Sequence, residues 1–245
     1  MRFRIIENIN PEFLEAVKNT QGADITKNGI EMDISRYQKP EQHGVPSIRK
    51  AVFYLPEKDS PYKKYYSTGK MGYGGAEKVT GRTVFKNPLI VKAGTGGRAI
   101  SLAYDQIEGK GAYEKMRRDV LQKAVMNSYT KTNNEQLQNV IEVLEKYGGD
   151  ADLADEILAV STVGNTLAYA VQEHIAGEAI RSAGYDAVIS YSKANGQPRL
   201  SEVFDVRAFD YPYPGQVDFN YEDFYKDFEL KKDFMYSYTQ QNNEI

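Results

Sequence analysis

Apolar residues recur at two spacings along the chain, and each change of spacing marks a new element. In the middle of the chain, Leu137, Val140, Ile141 and Leu144 fall three and four apart, which lays them on one face of a helix. Asn133 stands where an N-cap belongs, Gln136 follows three residues on, and Gly148 lies just past the end. Met116, Val120, Leu121 and Val125 predict a helix before it. Ile157 to Val160, and then Leu167, Val171 and Ile175, predict helices after it, so residues 99–183 read as a helical block.

Strand signals flank that block. Ala51-Val52-Phe53-Tyr54-Leu55 is a compact apolar run stopped by Pro56, and a second run from Thr83 to Ala93 is interrupted by Asn87-Pro88, which predicts a bulge or an edge. The four residues Gly94-Thr95-Gly96-Gly97 end it; they lack the lysine and hydroxyl residue of a nucleotide-binding loop and read as a turn. Residues 1–34 read as a lead-in with one short helix opened by Asn10-Pro11-Glu12 and carrying Phe13, Leu14 and Val17.

The densest signal lies at Ile175 to Val206. A helix runs to Ser182, Gly184 sits where a left-handed cap is needed, and Ala187-Val188-Ile189 is a core-type strand. Asn195-Gly196-Gln197-Pro198 predicts a turn, after which Ser201-Glu202-Val203-Phe204-Asp205-Val206 forms a facing strand opened by a glutamate.

Composition narrows the chemistry. The 245 residues include no cysteine and only two histidines, His43 and His174, which speaks against thiolate catalysis, serine-histidine hydrolysis and a zinc centre; no metal is expected. His174 falls within a helix and reads as structural. No apolar run approaches the length of a membrane span, and the first residues do not have the pattern of a signal peptide, so the expectation is a cytoplasmic protein with no membrane partner. The net charge of −3 conceals segregation. Residues 35–98 carry 13 Lys or Arg against 4 Asp or Glu, a balance of +9, while residues 99–180 come to −6 and residues 209–245 to −5. Tyr37, Phe53, Tyr54, Tyr62, Tyr65, Tyr66, Tyr73 and Phe85 are interleaved with the basic side chains. That mixture suits a phosphate-bearing ligand with stackable rings, and equally an ordinary solvated face.

The run Gly184-Tyr185-Asp186-Ala187-Val188-Ile189 followed by Leu200-Ser201-Glu202-Val203-Phe204 resembles the end of the ADP-ribosyltransferase fold, in its divergent phage and bacterial conflict branch. The resemblance spans residues 45–95 and 170–208. It implies an α+β fold with a split mixed β-sheet, formed by residues 1–208 with a helical insertion at about 99–183, and it leaves residues 209–245 as an aromatic, acidic extension. It further implies NAD⁺ as co-substrate and Glu202 as the carboxylate that holds the nicotinamide ribose and stabilises an oxocarbenium-like state. Tyr66-Ser67-Thr68-Gly69 partly matches a second family signature, departing from it by ending in glycine, and Tyr73-Gly74-Gly75 resembles an element that covers nicotinamide. On that resemblance Tyr54, Tyr66, Ser67, Thr68, Tyr73 and Gly74 are the cofactor-binding candidates, and Arg49, just before the first strand, joins Glu202 as a catalytic candidate.

Arginine-modifying toxins of the resembled fold carry Glu or Gln two residues before the catalytic glutamate, whereas this chain has Leu200 there. A different acceptor is therefore implied. Gln197 and Arg199, placed on the loop before the glutamate, are the acceptor-binding candidates, and with the basic block they favour RNA or DNA over protein. The implied role is a toxin or effector in bacterial or phage conflict, with an antitoxin or inhibitor protein as a further partner. Two other readings stay open at this point: a catalytically silent module binding nucleic acid or protein, and a phage structural or accessory protein. Independently of these readings, each residue has a plain counterpart: Glu202 as an ordinary surface glutamate on an edge strand, and Tyr66 and Tyr73 as structural residues.

Overall fold

The structure, a computed structural model, describes residues 10–38, 52–56, 77–93, 98–125, 133–149, 151, 154, 157–158 and 164–207. These residues form an α+β fold of five helices and a seven-stranded mixed sheet. Helix α1 (Pro11–Lys18) begins as the sequence predicts, with the Asn10 side chain accepting from the Glu12 amide at 2.8 Å and proline in the first turn. The residues that follow, read as lead-in, instead form strands β1 (Ala23–Thr26) and β2 (Gly29–Gln38). Strand β3 (Val52–Pro56) falls where the apolar run predicts it.

The run predicted as one interrupted strand is two strands in different parts of the sheet. Strand β4 (Glu77–Phe85) lies antiparallel to β2, from Ile30 opposite Phe85 to Gln38 opposite Glu77. Strand β5 (Pro88–Lys92) instead runs parallel to β6 (Ala187–Ala194), with Pro88 opposite Ala187. Lys86-Asn87 is therefore a corner between two sheet regions and not a bulge within one strand.

The strand order is β1-β2-β3-β7-β6-β5, with β4 on the other edge of β2 and β7 spanning Gln197–Asp205. Among the described residues, β2 and β3 meet through two residue pairs, Ile34 with Pro56 and Ser35 with Leu55. That narrow junction separates a β1-β2-β4 region from a β3-β7-β6-β5 region.

The helical block connects two strands of the sheet. Helices α2 (Arg98–Glu108), α3 (Ala112–Val120), α4 (Asn133–Lys146) and α5 (Gly164–Ser182) lie between β5 and β6 in sequence. Adjacent parallel strands cannot be joined by a tight turn and require such a crossover. The block is thus the connection that makes the β5–β6 pair possible. A single π-type turn, Leu121–Val125, extends α3.

Strand alternation divides the buried residues between the two faces. On one face, Phe13, Ala16 and Val17 of α1 pack with Ile30, Met32 and Ile34 of β2, Phe85 of β4, Ala187, Ile189 and Tyr191 of β6, and Leu200 and Val203 of β7. One short helix thereby covers both sheet regions where they meet. On the other face, Val188 of β6, Phe204 of β7 and Leu89 and Val91 of β5 pack under the crossover helices through Ile100, Ala103, Val171 and Ile180.

Local signals fix the ends of these elements. Gly184 has φ +90°, and after α5 the Tyr185 amide donates to Ile180 O at 3.2 Å and the Gly184 amide to Arg181 O at 2.9 Å, the paired bonds of a Schellman cap. A Cβ at Gly184 meets nothing within 4 Å, so Gly184→Ala isolates the backbone cost of a left-handed alanine. We expect about 1 kcal/mol of destabilisation in urea denaturation; no change would mean that the cap conformation carries no strain for alanine.

The corner at Lys86-Asn87 is pinned by one carboxylate. Asp186 accepts from the Lys86 amide at 2.5 Å and the Asn87 amide at 3.2 Å, while the Asn87 side chain donates to Gly184 O at 2.8 Å. Burial raises the Asp186 carboxyl above its ordinary value, against the lowering effect of those two amides and of Arg207. A raised folded value means that the native state binds its proton more tightly than the unfolded chain does. The resulting contribution is fully present below the unfolded Asp value, about 3.9, and is lost as pH rises through the folded value. Relative to Asp186→Asn, the wild type should therefore lose stability as pH is raised across that window, measured as the difference in melting midpoint. A difference that instead grows in the wild type's favour would contradict this assignment.

Candidate active site

The hairpin that carries the glutamate is built from a two-residue turn. Asn195 and Gly196 have φ +52° and +82°, and Ala194 pairs with Gln197 directly across them. Asn-Gly suits this geometry because both central residues must adopt positive φ, and the turn's twist matches that of the flanking strands. Two consequences correct the sequence expectations. Gln197 and Arg199 do not lie on a loop: they belong to β7, opposite Ala194 and Ser192. Glu202 does not open its strand but sits within it.

The register locates the local irregularity that sets Glu202. Ile189 pairs with Val203 and Tyr191 with Leu200, so two residues of β7, Ser201 and Glu202, oppose the single residue Ser190. This is a β-bulge, a device that bends the strand and re-aims a side chain. Since β7 is flanked by β3 on one side and β6 on the other, it is an interior strand, and Glu202 is 3% exposed. The edge-strand, surface-residue alternative does not hold for it.

Ser190 lies between Ile189 and Tyr191, which both face α1, so its own side chain faces the helical block. Alternation with Val203 puts Glu202 on that same side. Ser190 Oγ accepts from the Glu202 amide at 3.0 Å, lies 3.2 Å from Glu202 O, and is 3.0 Å from Ser201 Oγ. Ser190 and Ser201 are 0% and 1% exposed. Glu202 is thus one of three buried polar residues gathered at the bulge. The helical side also buries Gln172 and His174 of α5, and Tyr113 of α3 donates its hydroxyl to Gln172 Oε1 at 3.3 Å.

The other candidates are distributed unevenly around this centre. The Tyr54 backbone on β3 pairs with Val203, one residue beyond Glu202. Arg199 and Gln197 lie three and five residues back along β7, about 10 Å and about 17 Å from Glu202 at the usual strand rise. The outer part of β7 is anchored to the end of α1: Asn19 donates to Pro198 O at 3.1 Å, and Thr20 Oγ1 accepts from the Leu200 amide at 3.0 Å. Arg49, Tyr66, Ser67, Thr68, Tyr73 and Gly74 lie outside the described residues.

The pairing of Ser190 with Ser201 at the bulge carries no sequence motif. Its one available signal was alternation: Ser190 follows a core-type apolar run and, with Tyr191, interrupts it with a hydroxyl at a position that must face inward.

Together these features define a mixed-sheet α+β protein with a buried carboxylate at a bulge on an interior strand. No family model, curated protein or solved structure matches the chain. No helix among the described residues is long and apolar enough to cross a membrane.

Proposed function

We propose that the chain is a mono-ADP-ribosyltransferase that uses NAD⁺ and modifies a macromolecular acceptor, nucleic acid ahead of protein, as a toxin or effector. The observation that carries this reading is the setting of Glu202. Breaking the bond between nicotinamide and ribose develops positive charge on the ribose, the electronic problem that glycosidases meet with a carboxylate. A carboxylate removed from water stabilises such a charge more than a solvated one, because little solvent screens the interaction. The finer fold assignment, a split sheet of the ADP-ribosyltransferase kind, is supported by the narrow β2–β3 junction and by the hairpin that places the Gly184 to Ile189 run beside the glutamate strand.

In the proposed reaction the C1′–N bond breaks and nicotinamide leaves with the bonding electron pair as a neutral ring. Glu202 stabilises the ribosyl cation. The acceptor's O or N nucleophile then forms the new bond at C1′ and releases its proton to solvent. Tyr54, Tyr66, Ser67, Thr68, Tyr73 and Gly74 are assigned to NAD⁺, Arg49 joins Glu202 as a catalytic residue, and Gln197 and Arg199 are assigned to the acceptor.

The test is incubation of the full chain with NAD⁺ labelled in the adenosine half and separate pools of RNA, single-stranded DNA and cell-extract protein. Label in the RNA or DNA pool is the expected result, and label in protein alone would move the acceptor assignment. Retention of all label in NAD⁺ by folded protein would return the weight to a silent binding module.

A further inference from the structure

Ser190 does more at the bulge than fill space. A bulge leaves its extra residue without a ladder partner, and a buried amide left unbonded costs about 1–3 kcal/mol. Here the Glu202 amide is satisfied by the Ser190 side chain across the strand pair. A serine hydroxyl offers one proton and two lone pairs. All three of its contacts are met at once when it accepts from the Glu202 amide and from the Ser201 hydroxyl and donates its own proton to Glu202 O. That assignment uses the full capacity of the group. The hydroxyl grips Glu202 by both its amide and its carbonyl, and so fixes the plane from which the glutamate side chain departs.

We propose that Ser190 is a positioning residue for Glu202, holding the bulge in the geometry that presents the carboxylate to the nicotinamide ribose; this rests on the transferase reading above. Neighbouring strand residues do not supply the function. Val188 and Ile189 have no side-chain hydrogen-bonding group, and the Tyr191 hydroxyl accepts from Asn10 at 3.1 Å on the α1 side. An alanine at 190 would leave a buried amide and a displaced carboxylate with the rest of the strand pairing intact.

The test combines amide exchange with steady-state nicotinamide release, both on the full chain. In the wild type, the Glu202 amide should be protected to the level of the interior amides of β6. Ser190→Ala should speed exchange at Glu202 by about tenfold or more while leaving Val188 unchanged. It should also lower kcat by about 10- to 100-fold with KM for NAD⁺ nearly constant, as expected for a misplaced reacting group. Ser190→Thr keeps the hydroxyl and should recover kcat. A Glu202 amide that exchanges freely in the wild type overturns the proposal without any variant, which covers the case in which the alanine protein does not fold. Wild-type kcat in Ser190→Ala overturns the positioning role alone. A folded wild type that releases no nicotinamide overturns the transferase reading and this role together, and is recognised because the failure is already present before any substitution.

Discussion

Replacing Glu202 by glutamine is expected to lower nicotinamide release from NAD⁺ by about 10² to 10³-fold, the range seen when one charge-stabilising group is removed from a preorganised site. The substitution suits the question because glutamine nearly matches the shape of glutamate and can occupy the same bulge. The Ser190 hydroxyl bonds the backbone of residue 202, not its carboxylate, so the hydrogen bonds that hold the bulge survive the change. The melting midpoint should therefore stay within a few degrees of the wild type. KM for NAD⁺ should change little, since the carboxylate's largest contribution comes as charge develops on the ribose. Loss of activity together with loss of the fold would say nothing special about the carboxylate, and the paired melting measurement separates the two cases. Retained activity would remove Glu202 from the mechanism.

The largest stability effect is expected at Arg207. Its guanidinium donates to Asp205 through Nε and Nη2, both at 3.0 Å, to Val84 O at 2.8 Å and to Thr83 Oγ1 at 3.0 Å, and lies 4.6 Å from the centroid of the Phe85 ring. One side chain thus joins the end of β7 to β4, across the two sheet regions whose strands, among the described residues, pair with each other at the β2–β3 junction. The Arg207 and Asp205 side chains are 18% and 11% exposed, so solvent screens them little. Removing the cation strands a largely buried carboxylate and leaves the Val84 carbonyl and the Thr83 hydroxyl without this donor. Arg207→Ala should cost about 3 kcal/mol in denaturant unfolding. Arg207→Lys should recover only a small part of it, because an ammonium cannot reproduce a planar fork that reaches three partners. A loss below about 1 kcal/mol would place this pair among ordinary surface ion pairs.

The elements legible in the sequence are those fixed by neighbours along the chain. Gly184 ends α5 because a left-handed residue is needed there, and Asn195-Gly196 reverses the strand because both residues take positive φ. The hairpin carrying Glu202 therefore follows from local chemistry. The β1–β2 hairpin was also written locally, in the alternation of Ile30, Met32 and Ile34 against charged residues, but β1 is four residues long and Ile25 is its sole large apolar side chain, too little to announce a strand. What could not be read is what depends on distant partners. The separation of β4 from β5 rests on Asp186, 100 residues beyond Lys86. The bulge that sets Glu202 exists only in the register between β6 and β7, and the position of Ser190 within it follows from that register and not from any motif. The role of the helical block as a crossover likewise requires knowing that β5 and β6 are parallel neighbours. Of the candidate site, Glu202, Tyr54, Gln197 and Arg199 lie among the described residues, and Gln197 and Arg199 moved from loop to strand.

The central claim is that the bulged strand presents Glu202 to the ribose of NAD⁺. Its most direct test is nicotinamide release by the purified full chain, followed over time with wild type and Glu202→Gln side by side, with RNA as acceptor. The account predicts that the wild type releases one nicotinamide for each ADP-ribose gained by the acceptor, while Glu202→Gln, folded to the same melting midpoint, releases almost none. Equal release by the two proteins, or no release by the wild type with any acceptor, would contradict it.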